Sequence, residues 1–182
     1  MRRPIPLILA GVLMAGCTEF PTEPAEQVLA FGHKSSHAQP FRGRHVSQTA
    51  DASGVACDAG QLAGRSIIVR GNATHLGRYS GDASACIVPT GPLSLVSATA
   101  RMTLIAANGD EVWLQMDPAD PQMWEVTFPE PGVVAVTSEG GFDVVGGTGR
   151  FDDATGHVRV TSSRVGSEDT EARLEGTISK GK

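Results

Sequence analysis

Ala98-Thr99-Ala100-Arg101-Met102-Thr103-Leu104-Ile105-Ala106-Ala107-Asn108-Gly109-Asp110-Glu111-Val112-Trp113-Leu114-Gln115-Met116 decides the fold. Apolar and polar residues alternate on both sides of Asn108-Gly109, the two-residue period of a strand with one buried face rather than the 3.6-residue period of a helix. Asn-Gly tolerates positive φ at both central positions, so a tight hairpin is predicted here. The same character returns at residues 65–70, 123–128, 133–145, 157–163 and 172–179. Short strands at close spacing, joined by Gly- and Pro-rich turns and without a long helix, predict an all-β domain, an antiparallel barrel or alternatively a β-sandwich.

Working back toward the N-terminus, residues 18–53 are rich in Pro, Ser, Gln, Ala and His, with isolated apolar residues and no sustained period. Such a stretch buries too little to offset an ordering cost of ~1 to 2 kcal/mol per residue, which predicts a flexible tether. His33, His37 and His45 fall inside it and read as solvated linker residues. Before it, Met1-Arg2-Arg3-Pro4 leads into an apolar run ending in Leu13-Met14-Ala15-Gly16-Cys17. The charged-then-apolar order is that of a secretory signal peptide, and the run is too short for ~30 Å of hydrocarbon. Its end resembles a bacterial lipobox, which implies lipidation at Cys17, a membrane anchor made of acyl chains, and no transmembrane helix. Thr18, not Asp, follows the cysteine, a pattern similar to that of lipoproteins moved on to an outer membrane. The expected organisation is a signal peptide at 1–16, a lipidated tether at 17–53 and a β-domain at 54–182.

Charge and cysteines narrow the partners. The chain has 15 Lys and Arg against 20 Asp and Glu, and loss of Arg2 and Arg3 with the signal leaves a net charge of −7. That balance argues against nucleic acid and against adhesion to anionic lipid. With Cys17 lipidated, Cys57 and Cys86 remain as the one intramolecular pair, and an oxidising compartment makes a disulfide their natural state. Two thiols lack the further ligands of tetrahedral zinc.

The most distinctive segment is Val144-Val145-Gly146-Gly147-Thr148-Gly149-Arg150-Phe151-Asp152-Asp153-Ala154-Thr155-Gly156. Three glycines in four positions permit positive φ and close backbone packing at a bend, with Phe151 dropping into the core. A phosphate loop is excluded by the missing Lys and by the strand-to-strand context. The segment resembles the glycine-rich turn of the allene oxide cyclase and dirigent superfamily. Ala73-Thr74-His75-Leu76-Gly77-Arg78-Tyr79 and Leu104-Ile105-Ala106-Ala107-Asn108-Gly109-Asp110 are similar to secreted bacterial members of that barrel group. The resemblance covers about residues 65–178 and implies an eight-stranded antiparallel barrel with a largely apolar interior, often assembled as a homotrimer. Plant relatives cyclise a reactive epoxide or steer phenol coupling, but outside the glycine turn none of their functional positions maps here, and Thr155 stands where dirigent proteins commonly carry Arg.

The remaining chemistry is sparse. Gly77-Arg78-Tyr79 echoes Gly149-Arg150-Phe151, so Arg78 and Arg150 either ring a barrel mouth to hold an anionic ligand or pair with Asp82, Asp152 or Asp153. His75 and His157 lie near the two turns as candidates for ligand contact, and neither belongs to a nucleophilic triad. Trp113 and Trp124 flank the loop Asp117-Pro118-Ala119-Asp120-Pro121 and read as core residues or as an exposed platform. Asp117 and Asp120 alone fall short of a calcium site. No cofactor and no metal is indicated. The sequence therefore points to an extracytoplasmic lipoprotein whose barrel binds a small hydrophobic ligand or a protein, with an isomerase- or lyase-type enzyme and a structural envelope protein as alternatives.

Overall fold

In the computed structural model, residues 37–167 and 169–180 are described, and Cys17 with the preceding signal segment lies outside them. Nine strands occur among these residues: β1 (Gln39–Thr49), β2 (Leu62–Ala73), β3 (Gly77–Pro89), β4 (Ser94–Ala106), β5 (Glu111–Met116), β6 (Met123–Glu130), β7 (Val133–Gly147), β8 (Thr155–Val165) and β9 (Thr170–Ser179). One turn of 3-10 helix, Gly149–Phe151, links β7 to β8. Every pairing is antiparallel, and the order β1-β2-β3-β4-β5-β7-β8-β9 returns to β1. An eight-stranded barrel results, which settles the choice against the sandwich. β6 is the additional strand: it pairs with β4 at residues 94–96 and with β7 at 133–139, so β5 and β6 share the place between β4 and β7.

The 98–116 hairpin forms as β4 and β5, with Met102, Leu104, Val112 and Leu114 turned inward and buried. Its turn differs from the expected two-residue form. Gly109 alone has positive φ, at 88°, and its N–H donates to Ala106 O at 2.9 Å. That fits the three-residue connection closed by a left-handed glycine.

The tether boundary is corrected. Residues 39–49, assigned to the flexible segment, form β1, which pairs with β2 from Gly43↔Ala73 to Thr49↔Ser66 and with β9 from Gln39↔Ile178 to Ser47↔Thr170. β1 therefore closes the barrel, and the domain starts at least fifteen residues before Gly54. β3 was likewise not foreseen.

The barrel is packed solid at one pole. Phe41, Leu104, Val112, Phe151, Leu174 and Ile178 are each no more than 1% exposed. The glycine-rich segment supplies the plug. Gly147 passes so close to the carbonyl of Glu111 that no Cβ would fit, and Gly149, at φ 59°, sits against the Asp110 carboxylate. Thr148 ties the two together: its N–H donates to Glu111 O at 3.0 Å and its Oγ1 accepts from Glu111 N at 2.9 Å. Phe151 then enters the core as its sequence context predicts.

Candidate functional site

At the opposite pole the barrel is not filled. A cavity of about 220 Å³ remains between the upper halves of the strands. It exists because inward positions of β3, β4 and β9 carry small side chains, Ala83, Ala85, Ala100 and Ala172. Phe142, Met102 and Val160 also line it, as does the half-buried Trp124, whose Nε1 donates to Ser97 Oγ at 2.9 Å.

The polar groups of the cavity form an ordered set. Gln122 Nε2 donates to Ser138 Oγ at 2.9 Å, and Ser138 shares a 2.7 Å hydrogen bond with Ser162. Arg164, at the end of β8, donates from Nη1 to Thr49 Oγ1 at 3.1 Å and borders the void. Deepest is His45 on β1, 6% exposed, with Nδ1 hydrogen-bonded to the buried Tyr79 hydroxyl at 2.9 Å and the rings edge-on at 6.0 Å between centroids. Tyr79 can occupy that position because the facing residue is Gly71, where any Cβ would fall within its ring. Among the described residues no fully buried side-chain polar atom lacks a partner. His45 Nε2 has no hydrogen-bond partner among the described residues and so keeps accessible surface, and His45 lines the cavity.

Burial sets the charge state of this pair. Desolvation lowers the His45 pKa from 6.5 to about 4, which keeps the imidazole neutral at pH 7. The same desolvation pushes the Tyr79 phenol upward, so it stays protonated. The cavity thus offers a neutral imidazole nitrogen at its base, apolar walls, and an arginine and hydroxyls toward its rim. Such a site can hold an apolar body and fix one polar group, the usual composition of a ligand pocket.

The residues singled out by sequence lie elsewhere. Arg150 pairs with Asp110, Nε to Oδ2 at 3.2 Å, instead of with Asp152 or Asp153, and its guanidinium lies 5.1 Å from the Phe151 ring centroid. Its Nη2 reaches Leu76 O at 3.5 Å, which brings the two echoed turns together at the packed pole. His75, the one non-glycine residue with positive φ among those described, places Nε2 3.2 Å from Pro40 O. Arg78 is exposed on the outer face of β3. His157 is also outside, with Nδ1 2.9 Å from Asp143 Oδ1. None of these four borders the cavity. Asp120 is taken up by Arg159 at 2.7 Å and is not available beside Asp117 for a cation. Asp117, Asp143 and His157 do place donor atoms within 4.8 Å of one another, on the exterior. Trp113 is 40% exposed over Gly146, bonded through Nε1 to Glu111 at 2.8 Å.

Cys57 and Cys86 form the disulfide expected of them, with Cα atoms 5.5 Å apart. It pins the 50–61 loop to the outside of β3, beside the cavity pole.

His45, assigned to a solvated linker, is thus the central residue of the candidate site. No family model matches the sequence, and no curated protein matches it. Among solved structures the chain is similar to the pterocarpan synthase dirigent protein, at 13% identity and a TM-score of 0.41, covering 80% of this chain and 85% of that one. What assigns the fold is the closed ring of eight antiparallel strands, which fits the architecture of the allene oxide cyclase and dirigent-like barrels.

Proposed function

We propose that the protein is an extracytoplasmic lipoprotein, anchored through Cys17, whose barrel binds one small and largely apolar molecule carrying a single polar group. The observation that carries this reading is the cavity of about 220 Å³ with His45 at its base. A dry cavity of about 150 Å³ suffices for benzene, so the space suits one substituted ring. Arg164 at the rim and Nε2 of His45 in the depth supply the groups that would orient it. A structural envelope component has no need of such a void, and a solid barrel would have removed the ligand reading.

The enzyme reading is the weaker one. A general base works best with a pKa near the operating pH, whereas burial holds His45 near 4, and the phenol behind it is pushed the other way. Binding is what this pair supports.

The test is direct. Small molecules that co-purify with native protein are identified by mass spectrometry, and phenol and benzyl alcohol are titrated into the ligand-free barrel by NMR. Shifts at His45, Ala100 and Val160 that vanish in Ala100→Phe support the reading. Absence of any co-purified molecule together with unshifted cavity resonances overturns it. The anchor is tested separately: Cys17→Ser should abolish incorporation of labelled palmitate, and persisting label would exclude lipidation at this residue.

A further inference from the structure

The chain is acidic overall, yet one outer face is not. A broad groove of about 1080 Å³ runs over the exposed sides of β3, β2, β1, β9 and β8, lined by Arg42, Arg44, Arg70, Arg78 and Arg173 against two acids, Glu171 and Glu175. The strand register puts Arg78 beside Asn72, Asn72 beside Arg44, and Arg44 directly opposite Arg173. Three guanidinium-bearing positions and an amide therefore form one row across four strands, about 14 Å from end to end at ~4.8 Å per strand. Among the described residues none of the five arginines has an ion pair, whereas Arg150 at the packed pole and Arg159 on β8 do. Like charges directly opposed on neighbouring strands destabilise a sheet, so the Arg44 and Arg173 pair has a cost that folding does not explain.

From this row the geometry points to a second binding site, independent of the cavity, for an acidic glycan: a linear chain of sugars bearing sulfate or carboxylate groups. Three features select that class. The row is linear, and Glu171 and Glu175 flank Arg173 two residues away on either side along β9. A line of anionic groups fits between the two glutamates, while a plane of anionic lipid head groups would press on both. The groove carries no Phe, Tyr or Trp, and His45, which also borders it, holds its ring against Tyr79 inside the barrel, so the stacking platform that single-stranded nucleic acid requires is missing. Asn72, Thr161 and Ser163 provide neutral hydrogen-bonding groups suited to sugar hydroxyls. Guanidinium forks favour sulfate and carboxylate through paired, charge-assisted hydrogen bonds.

The experiment uses purified full-length chain carrying Cys17→Ser, so that acyl chains do not enter the comparison, and a heparin hexasaccharide as the probe. Three engaged anions predict roughly 20-fold weaker binding at 200 mM than at 50 mM salt, at ~0.7 counterions released per contact. Arg44→Gln with Arg173→Gln should weaken binding at least tenfold without lowering Tm, because a like-charge pair is removed. Glu171→Gln with Glu175→Gln should tighten it several-fold, a readout that does not depend on the arginine variant folding. Absence of binding at 50 mM salt, or affinity unchanged in both double variants, overturns the proposal. Tighter binding of phosphatidylglycerol vesicles or of single-stranded DNA than of the hexasaccharide would also overturn it and assign the row to that class.

Discussion

Replacing His45 with Gln removes the buried imidazole while leaving an amide able to meet the Tyr79 hydroxyl. The effect to measure is the pH dependence of stability. In the unfolded chain His45 titrates near 6.5, and in the barrel near 4. Above pH 6.5 both states are neutral and the barrel has its full stability. Below that, the unfolded chain takes up a proton that the folded one refuses, and stability falls until the folded imidazole charges at about pH 4. A gap of about 2.5 pKa units at ~1.36 kcal/mol each amounts to about 3 kcal/mol lost between pH 7 and pH 4. Carboxylates titrate in part of that range too, so the quantity of interest is the difference between wild type and variant. Urea unfolding at intervals from pH 7.5 to 3.5, with the disulfide intact, gives both curves. Wild type should lose about 3 kcal/mol more than His45→Gln. Parallel curves, or an NMR titration of His45 centred near 6.5, would refute the claim that this residue is buried neutral beside Tyr79.

Two further outcomes concern the framework. Mass should rise by about 2 Da on reduction, and Cys57→Ala with Cys86→Ala, which opens a loop with a sequence separation of 29, should cost about 3 kcal/mol in denaturant unfolding, so an unchanged mass or midpoint would contradict the bridge. Phe151→Ala empties the centre of the packed pole, where the ring is 0% exposed, and should cost about 3 to 5 kcal/mol; a loss under 1 kcal/mol would show that the glycine turn is not fixed by this ring.

The strands legible in the sequence are those that wall the packed pole. β4, β5 and β7 to β9 alternate large apolar and polar residues because one face meets a filled core. β1 and β3 were missed for the opposite reason. Their inward residues are Phe41, Gly43, His45 and Ser47 on one and Tyr79, Gly81, Ala83 and Ala85 on the other. Side chains that leave a void, or line it with polar groups, do not write a hydrophobic alternation, so two strands of the site, the one that carries His45 and the one that carries Ala83 and Ala85, had no signature. β2 was seen only in part, because a bulge between Ile68 and Gly71 turns Val69 and Arg70 both outward and breaks the period. The cationic row was invisible for a different reason, since Arg44, Arg78 and Arg173 are distant in the chain and only the register aligns them.

The placement of β1 has a consequence for how the molecule meets its surroundings. The strand begins beside Ile178 at the plugged pole and ends beside Thr170 at the hollow one. The chain therefore enters the barrel at its sealed base, and the mouth of the cavity lies at the far end, where β1 leaves.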